Sequence, residues 1–309
     1  MLSVILPAYN EEQMIEKAAD VTGEILQNAG IPYELIFVND GSKDRTWEMI
    51  EKTAAKDRHV RGILFSRNFG KESAMLAGLA QAQGDCCAVM DCDLQHPPQV
   101  LPEMYRKWQE GYEVIEGVKH TRGKESAAHR ASAGIFYRII SGATGVDMQR
   151  ASDFKLLDRK AVEAILSMPE RNTFFRALSA WVGFRTTSVE FDVQERTAGE
   201  SKWNTWSLIQ YAVKNIVAFS TVPMQLVTVA GGIVFLMAVI LGIQSLVKYF
   251  SGNALEGFTT VILLVLLIGS IIMLSLGIIG YYIAKIYEEV KQRPRYLISR
   301  RVGYHESEK

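Results

Sequence analysis

Tyr33-Glu34-Leu35-Ile36-Phe37-Val38-Asn39-Asp40-Gly41-Ser42 is the stretch that decides the fold. Four apolar side chains in a row, Leu35 to Val38, stop abruptly at a polar turn containing glycine. A continuous apolar run bounded in this way reads as a strand buried on both faces, as in a parallel sheet. The pattern repeats on either side. Ser3–Ala8 runs into Tyr9-Asn10-Glu11, Arg61–Ser66 is another strand, Cys86–Met90 runs into Asp91-Cys92-Asp93, and Glu113–Val118 is a fifth. Between them Glu11–Asn28, Arg45–Lys56 and Glu72–Ala82 carry helical periodicity. Strand, helix and strand at this spacing predict an α/β, Rossmann-like domain with a mostly parallel sheet and helices on both faces. Its ligands are expected at the carboxyl ends of the strands.

Over 309 residues, 34 Lys and Arg balance 34 Asp and Glu, which excludes a general polyanion or nucleic-acid binder. The balance hides unlike parts. Residues 1–114 hold 11 basic and 18 acidic side chains, net −7, and residues 115–214 hold 15 and 11, net +4. Residues 285–309 hold 7 and 4, net +3, whereas 215–284 contain only Lys248 and Glu256. A spanning helix needs roughly 20 apolar residues, and Pro223–Val247 and Phe258–Ala284 each supply them around the turn Ser251-Gly252-Asn253. Lys202 and Lys214 precede this hairpin, and Lys285, Lys291, Arg293, Arg295, Arg300 and Arg301 follow it. Both termini are therefore expected in the cytoplasm. The expected order is a cytoplasmic catalytic domain over 1–202 and a juxtamembrane amphipathic helix over 203–220. Transmembrane helices over 221–248 and 258–284 then flank an extracytoplasmic loop at 249–257, and a basic cytoplasmic tail covers 285–309. The start of the chain has no basic segment and too short an apolar run for a signal peptide. Cys86, Cys87 and Cys92 offer no disulfide framework and read as small buried residues in a reducing compartment.

The common nucleotide loops are absent. The first strand runs into Pro7-Ala8-Tyr9-Asn10-Glu11 instead of Gly-x-Gly-x-x-Gly, and Gly70-Lys71 is followed by Glu72 with no glycine five residues upstream. The strand ends carry carboxylates instead. Asp91 and Asp93 leave the fourth strand with Gln95 two residues on, and His96-Pro97-Pro98 stops the chain before a new helix. Such hard oxygen donors suit Mg2+ or Mn2+, which bind few carboxylates and complete their shell with phosphate oxygens.

Several segments in order carry a resemblance over nearly the whole chain. They are Pro7-Ala8-Tyr9-Asn10-Glu11, Val38-Asn39-Asp40-Gly41-Ser42, Asp91-Cys92-Asp93-Leu94-Gln95-His96-Pro97-Pro98, Ser152-Asp153-Phe154 and Arg196-Thr197-Ala198-Gly199-Glu200-Ser201-Lys202-Trp203. With the hairpin, they resemble the family 2 glycosyltransferases of the polyisoprenyl-phosphate glycosyltransferase type, which have the GT-A fold. The resemblance implies an inverting enzyme that moves one hexose from a nucleotide-diphosphate sugar to undecaprenyl phosphate, giving a lipid-linked monosaccharide. UDP-glucose or UDP-N-acetylglucosamine is favoured as donor over a GDP-sugar. Pro7, Tyr9, Glu11, Asp40, Lys71 and Asp91 are assigned by resemblance to the nucleotide sugar, with Arg196, Ser201 and Lys202 closing over its diphosphate. Asp91, Asp93 and Gln95 become the ligands of Mg2+ or Mn2+, Arg122 and Arg130 the contacts of the acceptor phosphate, and Asp153 the catalytic carboxylate. A homo-oligomer, a tetramer, in the bacterial inner membrane is also implied, with no nucleic-acid partner.

The chemistry calls for these residue types. A nucleoside diphosphate gathers negative charge as the sugar departs, and a divalent ion with fixed cations offsets it best in the transition state. The acceptor phosphomonoester has a second pKa of about 6, so at neutral pH it is already a nucleophile and needs no strong base. Three readings of Asp153 stay open: a base, a residue that holds Arg122 or Arg130 or positions the acceptor, or the N-cap of a helix Phe154–Leu166. Lys124–Gly142 and Trp203–Lys214 read either as helices on an anionic membrane surface or as ordinary amphipathic helices of the domain. Gln292-Arg293-Pro294-Arg295-Tyr296 looks like an element of processive polysaccharide synthases, but it follows the last span and reads as a basic juxtamembrane anchor. The alternative functions are a small polymerising synthase and a non-catalytic nucleotide-sugar sensor.

Overall fold

The structure is a computed structural model that describes residues 1–119, 152–168, 174–192, 222–251 and 258–304. It divides into two units, Met1–Asn204 together with Arg293–Lys309, and Thr205–Gln292.

The first unit is built on one sheet. Strands β1 (Leu2–Ala8), β2 (Tyr33–Asn39), β3 (Val60–Phe65) and β4 (Cys86–Val89) are parallel neighbours, with β1 between β2 and β4. Leu35, Ile36, Phe37 and Val38 are all fully buried, which is why the sequence shows no polar alternation there. The connections are α1 (Ile15–Asn28), α2 (Thr46–Lys56) and α3 (Lys71–Gln81), close to the segments expected from periodicity. α3 comes unusually near the sheet at Gly78, where a Cβ would lie 2.4 Å from Ile5 Cγ2.

Beyond β4 and the helix α4 (Leu101–Gln109), the order becomes mixed. β5 (Val114–Lys119) does not pair with β4. Instead β6 (Lys155–Asp158) inserts between them, antiparallel to both, and β7 (Thr186–Phe191) adds parallel to β5. At the opposite edge β8 (Ile298–Val302) pairs antiparallel with β3, giving the order β7-β5-β6-β4-β1-β2-β3-β8. Only β6 and β8 run against the other strands, so the sheet is mostly parallel in direction while mixed in its pairing.

Two expectations are corrected. Phe154–Leu166 is not one helix with Asp153 as its N-cap. Lys155–Asp158 is β6, and the helix that follows, α5 (Arg159–Ser167), is capped by Asp158, which accepts from the Lys160 N–H at 2.9 Å. Pairing with β4 and β5 wins over local helix preference because it buries Phe154, Leu156 and Leu157, while the buried Lys155 is compensated by Glu116 Oε1, 2.6 Å from its Nζ. The same ammonium is 2.5 Å from Ser179 Oγ, on the helix α6 (Phe175–Trp181). The segment after the last apolar helix, expected as a basic anchor, leads instead into β8. Ser66 N–H donates to the Leu297 carbonyl at 3.0 Å, and the Tyr296 ring stacks on Phe65 with centroids 5.1 Å apart. The unit carrying the sheet is therefore discontinuous in sequence.

The second unit contains α7 (Val222–Phe250) and α8 (Phe258–Val290). Where two spans were expected, one segment among the described residues, Leu267–Val290, is long and apolar enough to cross a membrane. Its mean hydropathy is 2.0, and the apolar part of α7, Val227–Leu241, is shorter.

Candidate active site

From β1 the sheet grows in both directions, to β2 on one side and to β4 on the other. The crevice at the carboxyl ends of the strands at such a switch point is where open α/β sheets bind ligands. A cleft of about 320 Å³ opens there, lined by Pro7, Ala8, Tyr9, Glu11, Asp40, Asn68, Gly70, Lys71, Ala74, Asp91, Cys92 and Asp93. Pro7, Tyr9, Glu11, Asp40, Lys71, Asp91 and Asp93 are thus brought together as the sequence suggested, with Asn68 and Gly70 added. Gln95 is not on this wall. Arg122, Arg130, Arg196, Ser201, Lys202 and both expected amphipathic segments lie outside the described residues.

The turns at the strand ends are tightly specified. Asn10 and Leu94 take φ values of 57° and 60°, a region costly for residues other than glycine. Leu94 lies in the Asp91–Gln95 turn, where Asp93 Oδ1 accepts from the Gln95 N–H at 3.0 Å. After β2 the chain turns at Gly41, φ 64°, where a Cβ would meet the Arg67 carbonyl carbon at 2.4 Å. The buried Asp40 carboxylate accepts from the N–H groups of Phe69 at 2.6 Å and Gly70 at 2.9 Å, tying β2 to the loop ahead of α3. Burial holds this carboxyl above the usual range, and the two N–H groups offset that only in part.

A chain of alternating charges starts at Asp91 and Lys71 on the cleft wall and continues to the buried Asp153 and to Arg176, which do not line the cleft. Lys71, the first residue of α3, places Nζ 2.6 Å from Asp91 Oδ1 and 3.1 Å from Asp153 Oδ2. Arg176 on α6 grips Asp153 as a fork, Nε to Oδ1 at 2.7 Å and Nη2 to Oδ2 at 2.9 Å. Burial alone would raise the Asp153 carboxyl, but the Arg176 hydrogen bonds and the Lys71 charge outweigh it and hold the group well below the ordinary range. Asp91 follows the same logic, burial opposing and Lys71 prevailing, so it too is held low. Glu72, next to Lys71, goes the other way. Burial first, and then the Asp153 charge, push it up to about 7, and its Oε2 accepts from the Phe175 N–H at 2.9 Å at the start of α6.

Asp153 is therefore engaged with Lys71 and Arg176, and a carboxylate held so low is a poor proton acceptor at neutral pH. Neither Arg176 nor Glu72 was picked out from the sequence. The signal that could have found Arg176 is a lone cation inside the apolar run Phe174–Trp181. Behind Asp91, the buried His96 ring stacks on Phe154 with centroids 5.0 Å apart, and its Nδ1 accepts from the Asp91 N–H at 3.2 Å. Burial lowers its pKa, which keeps the ring neutral.

Asp91 and Asp93 are the cleft's candidate metal ligands. Among the described residues no group of three or more His, Cys, Asp or Glu converges on one point. Two carboxylates alone do not make an all-protein cage, but they fit Mg2+ or Mn2+, whose shells are completed by phosphate oxygens and water.

Residues 3–166 match the profile of glycosyl transferase family 2. The chain belongs to glycosyl transferase family 2. It is a glycosyltransferase, which removes the sensor reading. An uncharacterized glycosyltransferase of Synechocystis sp., sll0501, is 38% identical, covering 96% of this chain and 94% of its own. The prophage bactoprenol glucosyl transferase homolog of Escherichia coli K12 is 36% identical, covering 97% of this chain and 98% of its own. Among solved structures, glucosyl-3-phosphoglycerate synthase from Mycobacterium tuberculosis, in complex with Mn2+, UDP-glucose and phosphoglyceric acid, is 22% identical with a TM-score of 0.49. That match covers 71% of this chain and 78% of the synthase.

Proposed function

We propose that this glycosyltransferase moves one hexose from a nucleotide-diphosphate sugar to a polyisoprenyl phosphate, with inversion, and releases the nucleoside diphosphate. The observation that carries the reading is the cleft at the switch point, where Lys71 pairs with Asp91 on the wall and is tied behind it to Asp153 and Arg176. The near full-length likeness to a bactoprenol glucosyl transferase homolog supports a polyprenyl phosphate acceptor and a glucosyl donor. The donors proposed are UDP-glucose or UDP-N-acetylglucosamine.

In this reading an acceptor phosphate oxygen attacks the anomeric carbon from the side opposite the diphosphate. A C–O bond forms as the C–O bond to the diphosphate breaks, and its electron pair leaves with the nucleoside diphosphate. Asp91 and Asp93, with Gln95 as the third candidate, would hold Mg2+ or Mn2+, which when bound would supply charge neutralisation for that leaving group. Pro7, Tyr9, Glu11 and Asp40 bind the nucleoside. Lys71 offers its ammonium to the diphosphate while keeping Asp91 ionised. Asp153 serves as a positioning residue that orients Lys71 and Arg176, because an acceptor dianion has no proton to surrender. Arg196, Ser201 and Lys202 close over the donor, and Arg122 and Arg130 receive the acceptor phosphate.

The reading also takes α7 and α8 as two membrane spans of a homo-oligomer in the bacterial inner membrane, with the catalytic unit and both termini cytoplasmic. The apolar segment Leu267–Val290 supports an anchor of this kind. The test is to incubate membranes containing the enzyme with labelled UDP-sugar, Mg2+ or Mn2+, and undecaprenyl phosphate. A butanol-soluble monosaccharide lipid is expected. An insoluble polymer would support a polymerising synthase instead, and no transfer with any donor would refute the proposal.

A further inference from the structure

A second cleft, of about 550 Å³, lies on the other side of the loop that precedes α3. Its walls are Arg67, Asn68, Phe69, Gly70 and Ser73 from that loop and helix, and Arg293, Pro294, Arg295 and Leu297 from the segment leading into β8. Three arginines face a common space, and no acidic side chain lines it among the described residues. Nothing in the reaction proposed above uses this cleft.

The cationic groups are held in place. The Arg67 guanidinium sits over the Phe69 ring, 4.3 Å from its centroid, and Arg295 Nη2 donates to the Met168 carbonyl. The returning segment is fastened by the Tyr296–Phe65 stack and by the Ser66 N–H bond to Leu297. With no acidic side chain lining the cleft among the described residues, three positive side chains side by side repel one another, which an anion in the cleft relieves. Planar guanidinium forks match phosphate oxygens in bidentate geometry.

We infer that this arginine-lined cleft is a phosphate-binding subsite distinct from the carboxylate cleft, formed only because the segment after α8 returns to the sheet. Two observations say what such a site does. Asn68 and Gly70 line both clefts, and Asp40 grips the same loop through Phe69 and Gly70. An anion bound to the arginines therefore stiffens one wall of the donor cleft. Arg293 also follows Val290, the last residue of α8, by three positions, so the chain keeps this arginine within about 10 Å of the end of an apolar helix. The phosphate of an anionic membrane lipid is one source of the ligand, and free phosphate is the other. The lipid source rests on reading α8 as a membrane span, whereas the site itself does not.

The experiment uses the full-length enzyme in neutral detergent micelles and reads thermal unfolding, so it does not depend on turnover. One arm replaces chloride with inorganic phosphate at constant ionic strength. The other mixes phosphatidylglycerol into the micelles against phosphatidylcholine. Each lost guanidinium–phosphate contact is expected to weaken binding by about tenfold. The wild type should be stabilised in at least one arm. Arg67→Gln/Arg293→Gln, which loses two contacts, should need about a hundredfold more ligand for the same shift, Arg293→Lys should fall between, and Asp91→Asn should respond like the wild type. A response in the lipid arm alone identifies a headgroup site, and a response to inorganic phosphate identifies a soluble-anion site. No wild-type response in either arm overturns the inference, as does a response that survives in the double variant or disappears in Asp91→Asn. If Arg67→Gln/Arg293→Gln does not fold, Arg293→Lys and Arg293→Gln singly provide the comparison.

Discussion

Removing the guanidinium of Arg176 probes how the site holds Asp153. In Arg176→Ala the carboxylate loses bonds of 2.7 and 2.9 Å and keeps Lys71 at 3.1 Å. A charge-assisted hydrogen bond contributes about 1.5–3 kcal/mol, so the fork is worth at most about 3–6 kcal/mol. Lys71 stays, and the Arg176 side chain is 30% exposed, so water recovers part of this. The net loss expected is about 2–3 kcal/mol, below the full cost of breaking a buried pair. For a unit of this size that lowers the thermal midpoint by roughly 5–10 °C.

The pH dependence has a definite sign. The folded Asp153 pKa lies below its ordinary value of 3.8, so its contribution is fully present above that value and is lost only as pH falls through the depressed folded one. Without Arg176 the folded pKa rises, and the acid limb of the stability curve moves to higher pH. Turnover should drop by about a hundredfold with the donor KM little changed, as when a reacting group is misplaced by about 1 Å. Arg176→Lys, which restores charge without the fork, should recover part of both. Scanning fluorimetry across acid pH and transferase kinetics give these readouts. A wild-type midpoint, acid limb and kcat in Arg176→Ala would refute the reasoning.

Three further outcomes are expected. Glu72 binds its proton more tightly folded, at about 7 against 4.5, so the stability it contributes is present below 4.5 and lost as pH rises through about 7. Glu72→Gln, which keeps an acceptor for the Phe175 N–H, should flatten that part of a midpoint-against-pH curve, and an unchanged slope contradicts it. Gly41→Ala places a methyl 2.4 Å from main chain at φ 64° and should destabilise by about 2 kcal/mol or more in chemical denaturation while weakening UDP binding by calorimetry. A variant as stable as the wild type would show that the loop yields. Asp93→Asn should raise the Mn2+ needed for half-maximal nucleotide-sugar binding by roughly 10–100-fold, and an unaltered titration would remove Asp93 from the metal site.

The first four strands are legible because each apolar run is complete in itself, with neighbours on both faces that are also apolar. The carboxylates at their ends were legible for the same reason, since strand direction dictates which edge they share. Lys155–Asp158 is not legible as a strand because Lys-Leu-Leu-Asp has no local mark of one, which is why a helix starting at Phe154 stays open as one reading of the sequence. The strand's identity comes from pairing with β4 and β5, distant in sequence, with Glu116 and Ser179 sharing the buried Lys155 ammonium. Asp153 stands out in the sequence only through the resemblance, and its partner Arg176 lies on a separate element, with no spacing rule to link the two.

From the sequence alone come the α/β domain, the acidic strand ends, the apolar segments and the family. These depend on periodicity and short motifs, which act over a few residues. The tertiary structure alone decided that Asp153 is locked between Lys71 and Arg176, and that Ile298–Val302 closes the sheet beside β3. It also decided that Arg67 and Arg293 line one cleft. Each is a contact between segments far apart in the chain, specified by burial and charge complementarity that a local pattern does not encode.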